Sequence, residues 1–192
     1  MSDTKTDTSN PELLVREKLD ELISFRNSTE SMHEFWAKQY DLGLAWVQFP
    51  TGTGGLDLNP NFQLMINETL RKEGISINNR IANILGIGMG APTIAEFGTE
   101  EQKNKYLRPM FAAEEIWCQM FSEPGSGSDL ASLSTKAVDD GDGYIVNGQK
   151  VWTTLGHLAK WGLIVARTDP NVPKHRGLTI FIVYMEYEGV EV

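Results

Sequence analysis

The sequence predicts an α+β chain of two domains, and three observations carry the prediction. Apolar residues recur at helical spacing from Asn10 to about residue 115. From residue 116 the pattern changes to short β-rich runs separated by turn residues. Across 192 residues, 41% hydrophobic and 22% charged content is that of a globular chain with a sizeable core. Helices followed by consecutive strands, rather than alternating with them, define the α+β class.

The helical half opens with Asn10 as N-cap, Pro11 at the first helical position and Glu12 in the first turn, and Val15, Leu19, Leu22 and Arg26 share a face. A second helix sets Met32, Phe35, Trp36 and Tyr40 on one stripe, a pattern that reads as core, and stops near Gly43, which can take the left-handed cap. Phe49–Gly55 is a loop by composition; Asn59-Pro60 restarts a helix with Phe62, Met65, Ile66 and Thr69 on its buried side, and Gly74 ends it. Ser76 can cap the next helix, where Ile77, Ile81, Ile84, Leu85 and Gly88 align. Gly86, Gly88 and Gly90 each cost about 1 kcal/mol in a helix against Ala, which close helix packing would offset. Thr99-Glu100-Glu101-Gln102 is a capping box for a helix through Tyr106 and Leu107, with a break expected at Pro109.

In the β half, residues 117–122 suit a strand running into the loop Pro124-Gly125-Ser126-Gly127-Ser128. Further strand-like runs are Leu133–Val138, Tyr144–Val146, Lys150–Thr154, Leu163–Arg167 and Leu178–Met185, and Gly189–Val192 reads as the start of another. A sheet stopped there would expose an unpaired edge. Asn147-Gly148 is a tight-turn signal leading into a strand over Gln149–Thr154. The Ser/Gly-rich loop and this Trp-Thr-Thr strand could therefore face one site. Glycines let backbone N–H groups approach a ligand closely and serine hydroxyls both donate and accept, a combination suited to phosphate, a carbonyl or a heteroaromatic ring.

Several function classes are excluded. The sixth position of the run from Gly125 is Leu130 rather than glycine, and no Gly-Lys-Ser/Thr stands at Walker spacing, so dinucleotide and P-loop fingerprints fail. Ser126 has glycine directly on both sides instead of one residue removed, so a nucleophile elbow fails too. His33, His157 and His175 lack partners at metal-ligand spacing, and no metal site is expected; Asp139-Asp140-Gly141-Asp142-Gly143 has no closing Glu at calcium-loop spacing and reads as a charged hairpin turn. A net charge of −9 with no basic run argues against a nucleic-acid or anionic-membrane partner. The longest uncharged stretch, Ile81–Ala95, is short of the ~20 apolar residues of a spanning helix. Cys118 has no intrachain partner, which points to a reducing, cytoplasmic setting, and residues 1–10 read as a disordered polar tail without a targeting signal.

The run Phe121-Ser-Glu-Pro-Gly-Ser-Gly-Ser-Asp-Leu130, followed by Gly143-Tyr-Ile-Val-Asn-Gly-Gln-Lys-Val-Trp-Thr-Thr154, resembles the flavin-binding middle domain of the acyl-CoA dehydrogenases. The likeness continues upstream through Gly98–Leu107 and downstream through Arg176–Val183. It implies an N-terminal α-helical bundle (residues 11–115) that helps wall an acyl-chain cavity. An incomplete antiparallel β-barrel or sandwich domain (residues 116–192) would follow, with nothing here to match the family's C-terminal helical bundle. It implies FAD as cofactor, an acyl-CoA substrate, electron-transfer flavoprotein or a similar acceptor as partner, an oligomeric assembly and a place in fatty-acid or lipid metabolism. Residues matching the family's flavin contacts are Gln119, Phe121, Ser122, Gly127, Ser128, Trp152, Thr153 and Thr154, and Ser128 also matches a contact near the substrate thioester or pantetheine. No catalytic base is assigned, because the family's glutamate base lies on the unmatched bundle and the family does not use the glutamate at the position of Glu123 for that role. Two other readings share the fold: a truncated fragment or binding subunit that needs a partner chain for activity, and a flavin-dependent monooxygenase, which the match over Glu123–Asp129 disfavours.

Overall fold

A computed structural model describes residues 10–75 and 82–192, and the chain divides into two compact units between Glu114 and Glu115. In the first unit, α1 spans Pro11–Arg26, and the Asn10 side chain accepts from the N–H groups of Glu12 and Leu13, satisfying donors that a helix start leaves orphaned. Val15, Leu19 and Leu22 are its buried residues, as the spacing predicts. α2 spans Met32–Asp41 with Phe35, Trp36 and Tyr40 buried, and the chain turns at Gly43, whose φ of 76° no β-carbon would tolerate cheaply. α3 spans Asn61–Lys72 and ends before Gly74, which also has positive φ. Its fully buried pair is Ile66 and Leu70, whereas Phe62, Met65 and Thr69 are only partly covered.

The expected cap at Ser76 and the stripe positions Ile77 and Ile81 lie outside the described residues. Beyond them, Gly86–Gly90 forms a π-helical turn that runs into α4, Ala91–Phe97. Gly86 has a visible reason: a β-carbon there would sit 2.7 Å from Oδ1 of Asn83, a fully buried side chain whose Nδ2 donates to Met110 O at 2.8 Å. α5 spans Glu100–Phe111 behind the Thr99–Gln102 capping box, with Pro109 inside it. The expected break does not occur. Pro109 forfeits one hydrogen bond close to the helix end, while Leu107, Met110 and Phe111 are at most 1% exposed. Burying each such side chain is worth about 1.5–3 kcal/mol, enough to outweigh the ~3 kcal/mol that an interior proline costs. The same core takes in Leu44–Val47, a loop segment with no helical period, whose Trp46 stacks on Phe49 at 5.1 Å and meets Phe111 edge-on at 4.9 Å.

The second unit is a five-stranded sheet of β1 (Trp117–Met120), β2 (Lys136–Asp139), β3 (Tyr144–Asn147), β4 (Trp161–Arg167) and β5 (Leu178–Tyr184). It is mixed rather than wholly antiparallel. β4 pairs in parallel with β1, from Trp117 opposite Trp161 to Met120 opposite Ile164, and with β2 at Lys136 opposite Arg167. β5 runs antiparallel along the full length of β4, and β2 and β3 form an antiparallel hairpin closed by the acidic turn at Asp139–Gly143. β4 is the sheet's spine, buried from Gly162 to Ala166, and Cys118, Met120, Ile164 and Met185 cluster against Ala159.

Three strand expectations are corrected. β2 begins at Lys136 rather than Leu133, because the N–H groups of Ser134 and Thr135 bond to the carboxylate of Glu123 instead of a neighbouring strand. Gln149–Thr154 is not a strand, for reasons described below. Gly189–Val192 joins no ladder, and the Val190 N–H turns back to Tyr187 O at 2.9 Å. No helix among the described residues is long and apolar enough to cross a membrane.

Candidate functional site

β1 ends at Met120 and delivers the chain into Phe121–Asp129, where Glu123 and Ser126 exchange backbone hydrogen bonds of 2.7 and 3.1 Å around Pro124-Gly125. Ser126 is buried and its hydroxyl donates to Asp129 O at 2.7 Å, so this serine serves the loop. Gly127 and Ser128 are exposed, and their N–H groups enter no hydrogen bond among the described residues.

Below that loop lies the most polar buried group of the second unit. Glu123, 6% exposed, accepts from Ser134 N at 2.6 Å, Ser134 Oγ at 2.7 Å, Thr135 N at 2.9 Å, the Thr135 hydroxyl, and Lys150 Nζ at 2.9 Å. Burial by itself would raise the carboxyl pKa, but the Thr135 and Ser134 donors and the Lys150 ammonium outweigh it and hold the group well below the usual carboxylate range. Glu123 is therefore a fixed anion, unable to accept a proton near neutral pH. The Lys150 side chain is 6% exposed and spends its other protons on Phe121 O at 3.1 Å and Val165 O at 2.8 Å.

Residues 150–151 thus fasten the second motif to the first: the Val151 N–H also donates to Ser122 O at 2.9 Å. These bonds explain the missing strand. Phe121 and Ser122 give their carbonyls to Lys150 and Val151, Gly148 packs where a β-carbon would lie 2.1 Å from Thr135 Oγ1, and Trp152 takes a left-handed φ of 59°. A second left-handed residue, Leu155, leads into a 3-10 turn at Gly156–Leu158. Trp152 emerges 89% exposed.

Beside it lies a cleft of about 740 Å³, with Met120, Ile164 and Met185 in its floor and Gly148, Trp152 and Thr153 on its rim. Of the eight residues expected at a flavin, Trp152 and Thr153 line this cleft. Phe121 and Ser122 sit at the fastening point; Gln119 is on β1 opposite Leu163; Gly127, Ser128 and Thr154 are exposed on the loops, the last with its N–H on Trp152 O. The donor set fits a flat heteroaromatic ring: an uncovered indole face for stacking, adjacent threonine hydroxyls, and free loop N–H groups. The Glu123–Lys150 pair is the feature that sequence reasoning missed. The two residues stand 27 apart, and no periodicity links them. No cluster of three or more His, Cys, Asp or Glu side chains suited to a metal ion occurs among the described residues. His33 instead engages Ala112 O through Nδ1 at 2.8 Å.

The family model for the acyl-CoA dehydrogenase N-terminal domain matches residues 13–114, and that for the acyl-CoA dehydrogenase middle domain matches residues 118–192. The chain belongs to the acyl-CoA dehydrogenase family. It is 44% identical over 152 residues to acyl-CoA dehydrogenase FadE34 of Mycobacterium tuberculosis (strain ATCC 25618 / H37Rv), an alignment covering 79% of this chain and 21% of FadE34. Among solved structures it resembles the ChsE4-ChsE5 complex from Mycobacterium tuberculosis, with TM-score 0.62, 33% identity and coverage of 94% of this chain and 48% of the solved one. It also resembles PigA in complex with FAD, with TM-score 0.63, 25% identity and coverage of 93% and 47%. The chain thus spans about a fifth of FadE34 and about half of these solved chains. The family is one of FAD-using oxidoreductases.

Proposed function

We propose that this chain forms the flavin-facing portion of an acyl-CoA dehydrogenase, which removes the α-proton of an acyl-CoA thioester while the β-hydride goes to FAD. The observation that carries the reading is the fastening of the Phe121–Ser128 loop to residues 150–151, which presents an uncovered Trp152 and the Thr153 side of a cleft together. In this reading Trp152 stacks on the ring. Gln119, Phe121, Ser122, Gly127, Ser128, Thr153 and Thr154 supply backbone and hydroxyl contacts, and Ser128 also meets the thioester or pantetheine. Bound there, FAD supplies the hydride acceptor, and electrons leave to an electron-transfer flavoprotein or a similar partner in cytoplasmic lipid metabolism.

A second reading, a binding subunit that needs a partner chain, is favoured by two observations. Glu123 is a fixed anion and cannot act as base. One of the solved structures it resembles is a complex of two components. Titration of the full chain with FAD, followed by visible absorption, tests the reading. A perturbed flavin band is expected, bleached anaerobically by an acyl-CoA only when a chain bearing a suitable base is added. An unperturbed band at millimolar protein, alone and with such a chain, would remove the flavin assignment.

A further inference from the structure

We infer that Lys150, anchored by Glu123, is a positioning residue that sets the Ser126–Ser128 loop and the Trp152–Thr153 rim against each other as one unit. The inference rests on the flavin reading for what that unit holds, but its geometry stands apart from it. An ammonium has three protons, and here they reach three acceptors on different parts of the fold: Glu123 in the loop turn, Phe121 O just past β1, and Val165 O in mid-β4. On the other side, Glu123 holds the loop turn to the start of β2 through Ser134 and Thr135. One buried pair thereby joins β1, β2, β4 and both candidate segments.

Stability alone does not account for this arrangement. A buried ion pair is weak grounds for stability, since well-packed apolar side chains of similar volume often serve as well or better. Apolar side chains cannot, however, bind the carbonyls of Phe121 and Val165. Trp152 shows what depends on that binding. The residue is 89% exposed, so no core packing orients it, and its φ of 59° is one that L residues hold only when their surroundings impose it. The imposing contacts are those of the two preceding residues: the Lys150 ammonium and the Val151 N–H on Ser122 O.

The test uses the full chain with Lys150→Met and with the double variant Glu123→Gln/Lys150→Met, which removes both charges. Amide hydrogen exchange is read at Val151, Glu123 and Ser126, whose N–H groups bond to Ser122, Ser126 and Glu123 carbonyls respectively. The expected result is a rise of roughly tenfold or more at all three in both variants, with amides of the β2–β3 hairpin unchanged and both variants still unfolding in one cooperative transition at a lowered midpoint. FAD affinity and the shape of the bound flavin band should change in the same variants. Wild-type protection at Val151 and Ser126 in the double variant overturns the inference. So does protection lost evenly across the sheet, or unfolding of both variants, since either marks a merely structural pair. If the wild type binds no FAD, the flavin reading fails alone, and the exchange data still decide the positioning role.

Discussion

Replacing Glu123 by Gln tests the electrostatics of the second unit most directly. The carboxylate receives five donors from Ser134, Thr135 and Lys150. A primary amide offers one acceptor oxygen and turns an NH₂ toward donors; the hydroxyls of Ser134 and Thr135 can rotate to accept from it, but at least one backbone N–H, that of Ser134 or of Thr135, is left facing a donor, and the Lys150 ammonium, 6% exposed, loses its counter-charge. Breaking a buried pair in this way costs about 3–5 kcal/mol, a large share of the ~5–15 kcal/mol that holds a domain together. The pH dependence follows from the direction of the shift. Because the folded-state pKa of Glu123 is depressed, its stabilisation is fully present above the unfolded carboxyl pKa of about 4.3 and is lost as pH falls below it toward the folded value. Urea unfolding of wild type and variant from pH 7 to pH 3 should therefore show a gap of about 3–5 kcal/mol that is flat down to about pH 5 and narrows below about pH 4. A gap under about 1 kcal/mol at pH 7, or one that stays constant to pH 3, would refute the reasoning.

Trp152→Ala should change urea stability by less than about 0.5 kcal/mol, because the residue is 89% exposed, while weakening FAD affinity at least roughly tenfold in an equilibrium titration. Gly148→Ala places a β-carbon 2.1 Å from Thr135 Oγ1 and 2.8 Å from its Cα, so the denaturation midpoint should drop by the equivalent of about 1–3 kcal/mol with an unchanged m-value. Asn10→Ala removes two capping acceptor contacts and should cost about 1 kcal/mol of thermal stability, read by circular dichroism in the helical band.

Features decided within one turn of chain were legible in the sequence. The Asn10 cap, the Thr99–Gln102 capping box and the left-handed glycines at 43 and 74 each answer a local need for a donor, an acceptor or a positive φ, and the residue type names the need. Features decided by partners far along the chain were not. Leu44–Val47 has no periodicity because it is buried by Trp46 meeting Phe49 and Phe111 rather than by lying on one face of a helix. Pro109 looks like a helix stop until the burial of Met110 and Phe111 is counted against it.

The segment after Gly148 shows how this limit bears on the candidate site. Val151, Trp152, Thr153 and Thr154 are among the better strand formers, and propensity alone extends them as a ladder. A strand, however, is stabilised by a neighbour, and both edges of β4 are already occupied, one by β5 and the other by β1 and then β2. Phe121 and Ser122, which could have continued the sheet, give their carbonyls to a lysine side chain and a single amide instead. With no ladder to join, the chain turns at Trp152 through a conformation its composition disfavours and leaves the indole uncovered beside the cleft. Disagreement between local propensity and the observed backbone is expected where a surface is shaped for something other than its own packing. Here it falls on the residue that the motif assigns to a flavin, and the contacts that enforce it are the buried bonds of the Lys150–Glu123 pair.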